Sequence, residues 1–119
     1  MAYEIPGFSF TLPAAADLSA LQFRAVNVDA TGKAALPAAL GRIIGVLQNK
    51  PTLNQAATIV CSGISKVTAG AAIAAGANVE VDALGRVITR ATGIPAGIAL
   101  EAASGAGIVI AVYLAPAQI

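Results

Sequence analysis

Apolar and polar residues alternate in short runs along most of this chain, and Gly, Pro, Asn and Asp separate the runs. From residue 21 onward a strand signal recurs about every 10 residues. Gln22–Asp29, Arg42–Gln48, Thr58–Ser62, Ile64–Val67, Asn78–Asp82, Arg86–Arg90, Gly97–Glu101 and Ile108–Leu114 are rich in Val and Ile, which predicts strands. Strands at this spacing favour an all-β fold, a small barrel or sandwich. Thr68–Ala77 is rich in Ala, which favours helix. Gly70 and Gly76, however, each cost about 1 kcal/mol against Ala in a helix, so two Gly turns around Ile73 are the expectation.

The first 20 residues differ from the rest. Pro6 and Pro13 bracket an alternation of Phe8, Phe10 and Leu12, and proline holds itself and the residue before it extended. The expectation is an extended N-terminal arm and Ala-rich linker over 1–20, ahead of a single β domain over 21–119. An edge strand of that same domain is the other reading of the segment.

One octapeptide pattern occurs twice. Val26-Asn27-Val28-Asp29-Ala30-Thr31-Gly32-Lys33 returns as Val79-Glu80-Val81-Asp82-Ala83-Leu84-Gly85-Arg86. Each predicts a hairpin: inward valines, an Asp able to accept forward backbone N–H groups, and a Gly in the left-handed region. The cation after the Gly begins the return strand and is expected in solvent. Gly45-Val46-Leu47 is echoed by Gly97-Ile98-Ala99, and Thr58-Ile59-Val60 is set against Ile108-Val109-Ile110. The chain therefore reads as two related β units, about 21–66 and 74–115, packed about a pseudo-twofold axis.

Composition narrows the function classes. Only 11% of the 119 residues are charged and 57% are apolar, 29 of them Ala, for a mean hydropathy of +0.79. Typical soluble domains carry about 25% charge, so part of this surface is expected to be covered by copies of the chain or by a larger assembly. The 7 cations form no cluster and Trp is absent, which argues against nucleic acid. The longest uncharged stretch, Ala102–Ile119, is interrupted by Ser104, Gly105, Gly107 and Pro116, unlike a membrane span of about 20 apolar residues. The N-terminus lacks the cationic and apolar regions of a secretory signal. Cys61 has no partner for an internal disulfide and sits in an apolar run, where a small buried hydrophobe is expected.

Catalytic chemistry finds no constellation. With no His, acid–base work would fall to Glu4, Asp17, Asp29, Glu80, Asp82 and Glu101. Asp29 and Asp82 read as turn residues, Glu80 as outward-facing on its strand, and Glu101 as exposed at a strand end. No metal-ligand cluster and no phosphate-binding glycine motif is present, so no metal and no cofactor is expected. Lys33 at a hairpin tip has the rhythm of a biotinyl or lipoyl domain, but it lacks the flanking residues that a ligase reads.

A family resemblance covers about 45–115. Gly45-Val46-Leu47-Gln48-Asn49-Lys50-Pro51, Ala56-Ala57-Thr58-Ile59-Val60 and Ser62-Gly63-Ile64-Ser65-Lys66-Val67 carry it. So do Ala74-Ala75-Gly76-Ala77-Asn78-Val79, the Asp82–Arg86 turn and Gly97-Ile98-Ala99-Leu100-Glu101-Ala102-Ala103. Together they resemble the small capsid decoration (cement) proteins of tailed bacteriophages, with a departure at Ala77, where such sequences often have an acidic residue. The resemblance implies a non-enzymatic virion protein, made in the host cytoplasm and bound to the capsid exterior. Its partners would be the major capsid protein and two further copies in a homotrimer. On this reading Phe8, Phe10 and Leu12 contact the capsid by strand addition, and Asp29, Gly32, Asp82 and Gly85 are structural turn residues. The alternative is a virion surface module that recognises a receptor or polysaccharide.

Overall fold

The computed structural model describes residues 2–115; Met1 and residues 116–119, the extremes of the expected arm and domain, lie outside the described residues. Eleven strands and no helix are found among them. In chain order they are β1 (Ile5–Pro6), β2 (Ser9–Pro13), β3 (Ala25–Val28), β4 (Ala34–Ala35), β5 (Gly45–Leu47) and β6 (Ala56–Val60). The remaining five are β7 (Gly63–Thr68), β8 (Asn78–Val81), β9 (Val87–Thr89), β10 (Gly97–Ala99) and β11 (Val109–Leu114). All pair antiparallel in two sheets, one ordered β1-β7-β11-β10-β8-β9 and the other β2-β6-β5-β3-β4. Every strand predicted after residue 20 is present. β4 was not predicted, because two Ala residues carry no alternation.

The predicted extended segment at the N-terminus is laid along β6, with Ser9 opposite Val60 and Pro13 opposite Ala56. Phe10 and Leu12 pack against the core, so these residues form the edge strand of a sheet rather than a free arm. Thr68–Ala77 contains no helix; Gly76 takes φ +85°, and Ile73 bridges to Ala103.

The second sheet contains one strand order that the first contains again. β2-β6-β5-β3-β4 and β7-β11-β10-β8-β9 are the same order advanced by five strands. Individual hydrogen bonds correspond as well. Phe23 N–H donates to Leu47 O at 2.8 Å and Gly76 N–H to Ala99 O at 2.7 Å, with φ +65° at Phe23 and +85° at Gly76. Ile44 N–H donates to Val26 O at 2.9 Å, and Ala96 N–H to Val79 O at 2.8 Å. Gln48 N–H reaches Thr58 O at 2.8 Å, as Leu100 N–H reaches Ala111 O at 2.9 Å. That last pair sets Thr58-Ile59-Val60 against Ala111-Val112-Tyr113, not against Ile108-Val109-Ile110. Phe10 and Ser65 fall at matching places too, opposite Ile59 and Val112. The strand order shared by the two sheets begins at β2, Ser9–Pro13, ahead of residue 21.

Two apolar clusters hold the layers. The larger lies between the sheets and joins Ala25, Val46 and Val60 of one to Val67, Val79, Ala99, Ile110 and Val112 of the other. The smaller, on the opposite face of the five-stranded sheet, contains Val26, Leu47, Ala57 and Ile59, with Phe10, Leu12, Leu21 and Ile44 half-buried around it. Glu80, predicted on the outer face of its strand, is only 1% exposed. Its strand does turn it away from the interior, but the Leu40 loop and the loop at 91–94 close over it. Leu40 N–H donates to Val81 O at 2.8 Å, and Ile94 N–H to Leu40 O at 3.0 Å. Glu80 Oε1 accepts the N–H groups of Ala91 and Gly93 at 2.9 and 2.8 Å, so this buried oxygen has two donors.

Candidate assembly surface

The two hairpin turns are built from the same bonds. Asp29 Oδ1 accepts from Thr31 N–H at 2.9 Å and Lys33 N–H at 3.0 Å, while Asp82 Oδ1 accepts from Leu84 N–H at 3.0 Å and Arg86 N–H at 2.9 Å. Gly32 and Gly85 follow at φ +84° and +75°, a region that only Gly enters cheaply. The Lys33 backbone N–H, then the Thr31 hydroxyl, hold the Asp29 carboxyl below the usual aspartate value. The cations behind the glycines are not simply solvated: Lys33 Nζ donates to Asn54 Oδ1 at 2.9 Å, and Arg86 Nε pairs with Asp82 Oδ2 at 2.9 Å.

Their surroundings differ. The Asp82 turn is seated on the first half: Ala25 N–H donates to Gly85 O at 2.7 Å, and Arg24 Nη1 donates to Leu84 O at 2.9 Å. The Asp29 turn stands clear, with Ala30, Thr31 and Gly32 exposed and no atom within 4 Å of a side chain placed on Gly32.

Of the residues predicted to contact a partner, Phe8 is 64% exposed, while Phe10 and Leu12 are half-buried. Cys61 N–H donates to Phe8 O, and Ala14 N–H to Gln55 O, both at 2.9 Å. The antiparallel alternation therefore turns the main-chain groups of Ser9 and Thr11 outward, along the free edge of β2. No charge occurs between Glu4 and Asp17, and β2 is the longest of the four edge strands. Natural edges are usually shortened or guarded by charge, and this one is neither. A shallow groove of about 220 Å³ runs beside it, lined by Thr11, Leu12, Pro13, Asn54 and Ala56.

A second apolar feature lies on the other sheet. Across the outer face of the six-stranded sheet, register aligns Ile5, Ile64, Tyr113 and Ile98 in one row. Ile5 is 62% exposed, Tyr113 48% and Ile98 38%. The signal available in the sequence was parity: in β11, Tyr113 alternates with the inward Val112 and Leu114.

The chemistry-bearing groups are used structurally. Glu101 Oε1 accepts from Ala111 N–H at 2.8 Å and is half-buried rather than exposed. Cys61 is half-buried rather than fully buried, with Sγ 3.3 Å from Phe8 O. Among the described residues no three His, Cys, Asp or Glu side chains group as metal ligands, and no helix is long and apolar enough to cross a membrane.

Comparisons with known proteins place this architecture. The crystal structure of the head fiber gp8.5 N base of bacteriophage phi29 superposes with a TM-score of 0.74 at 17% identity, covering 94% of this chain and 97% of that one. At that identity the likeness shows a shared fold. A comparison with curated protein sequences finds no match. A family model described as phage cement protein matches residues 6–114, nearly the whole described chain. The chain therefore belongs to the phage cement protein family, a family of phage structural proteins.

Proposed function

We propose that this protein binds the outer surface of an assembled phage head and stabilises contacts between neighbouring major capsid subunits. The match to the cement family over residues 6–114 carries this reading. The open β2 edge supplies a physical means. Main-chain groups of Ser9 and Thr11 pair with an extended capsid segment, Phe8 covers apolar shell surface, and the half-buried Phe10 and Leu12 fix the register. In the same reading the protein acts as a homotrimer, and several weak footings on one shell multiply into durable attachment. The job involves no catalysis and no cofactor.

Co-sedimentation with purified phage heads tests the proposal. Binding to mature shells, together with a rise in the temperature at which they burst, is the expected result. Failure to sediment with heads, or binding without any gain in their stability, overturns it.

A further inference from the structure

The two sheets share a strand order but not a strand count. β7 holds in the six-stranded sheet the place that β2 holds in the five-stranded one. β1 lies outside β7, and no described strand lies outside β2. β1 covers its edge antiparallel, with Ile5 opposite Ile64 and Pro6 opposite Gly63. Ile64 stands opposite Tyr113 on one side of β7, as Ser9 stands opposite Val60 on β2, so Ile5 marks the position beside Ser9 where an added strand would pair. Farther along, Thr68 N–H of β7 donates to Phe23 O at 2.9 Å. Pro13 takes the same place on β2 and has no N–H to offer.

The open stretch of β2 has defined ends. Ala14 bridges to Ala34, and Ala15 N–H donates to Ala34 O at 2.8 Å, so β4 closes the edge from residue 14 onward. At the other end Gly7 N–H turns back to Ser62 O at 3.0 Å. Between these ends the outward N–H and C=O groups of Ser9 and Thr11 leave room for a strand of about five residues. Alternate side chains of such a strand fall on the face of Phe10 and Leu12, which are half-buried at the margin of an apolar cluster. The side chain opposite Phe10 is therefore apolar. Those opposite Ser9 and Thr11 lie on the exposed face, where polar groups keep their water.

We infer that a segment of the shell protein enters here as a sixth strand, antiparallel to β2 and about five residues long, with an apolar side chain opposite Phe10 between two polar ones. β1 on β7 supplies the precedent for the direction, and an edge unguarded by charge supplies the room. The inference rests on the shell-binding reading and adds to it the direction, extent and side-chain pattern of what is bound.

Hydrogen exchange on the full chain, free and bound to purified phage heads, reads the ladder without any variant. The amides of Ser9 and Thr11 are expected to slow about tenfold or more on heads, while those of Phe10 and Leu12, already directed at β6, change little. Thr11→Pro removes an outward N–H and takes no bond from β6. It is expected to keep the circular dichroism of the parent and to weaken co-sedimentation with heads about tenfold. Thr11→Val keeps the N–H and is expected to bind as the parent does. A benzophenone maleimide on Ser9→Cys, in a Cys61→Ser background, is expected to join a shell-protein segment of the stated alternation when irradiated on heads. Bound protein whose Ser9 and Thr11 amides still exchange freely overturns the inference and leaves shell binding in place, as does full binding by Thr11→Pro. Cross-links to a second copy of this chain, or to a shell segment without the alternation, overturn it too. A parent chain that does not sediment with heads overturns the shell reading itself, and this inference with it.

Discussion

Ala25 and Gly85, 60 positions apart in sequence, share a 2.7 Å hydrogen bond from the N–H of the first to the carbonyl of the second. The bond ties a hairpin turn of one sheet to the first residue of a strand in the other. The turn can approach so closely because position 85 lacks a side chain: a Cβ there would lie 2.5 Å from Ala25 O.

Gly85→Ala and Gly32→Ala separate conformation from contact. Both positions have positive φ, so each substitution meets the left-handed penalty of about 1 kcal/mol. Only Gly85→Ala also forces the turn off Ala25. Urea denaturation is expected to show a loss of about 1 kcal/mol for Gly32→Ala and about 3 kcal/mol for Gly85→Ala.

Glu80→Ala leaves the N–H groups of Ala91 and Gly93 facing a void. Unsatisfied buried donors cost about 1–3 kcal/mol each, so a loss of roughly 3 kcal/mol is expected by the same denaturation assay. Glu80→Gln keeps a carbonyl oxygen as acceptor and is expected to lose less than half as much. Equal losses for the two variants would contradict the bonding described.

The Asp29 carboxyl, held low by the Lys33 N–H and the Thr31 hydroxyl, is expected to titrate below the ordinary 3.8 when followed by carboxyl-carbon NMR. A depressed folded value adds stability above the unfolded aspartate value, and that share fades as pH falls through the folded one. Asp29→Asn is therefore expected to lessen the acid sensitivity of the melting temperature below about pH 4 without altering its course above pH 6.

Truncation separates an arm from a strand. Removing residues 1–4 takes away none of β2 and is expected to leave the melting temperature nearly unchanged. Removing residues 1–12 leaves β6 paired with β5 alone and takes Phe10 and Leu12 off Ile59 and Ala57. Two half-buried apolar side chains are worth about 3 kcal/mol together, so a fall of more than about 10 °C is expected by differential scanning calorimetry.

Strand positions were legible because they are rich in Val and Ile, alternating with polar residues in Asn78–Asp82 and forming an unbroken apolar run in Ile108–Leu114. The Asp-Gly turns were legible because an Asx oxygen and a left-handed Gly leave a local signature. The burial of Glu80 on the outer face of its strand was not legible, because it comes from Leu40 and Gly93, which are distant in sequence and invisible to alternation. The N-terminal segment is ambiguous by nature, since Phe8, Phe10 and Leu12 look alike whether they await a partner strand or already lie on β6. The exposed row at Ile64, Tyr113 and Ile98 was hidden for a related reason. In an apolar chain an outward Ile resembles an inward one until the register is known.

The Glu80 carboxylate grips its loop through two main-chain N–H groups and no side chain. What projects outward there, at Ala91 and Thr92, is thus set by nothing in the anchor beneath. Replacing Ala91 and Thr92, both exposed, is therefore expected to spare the clasp, and an engineer could place a short epitope there.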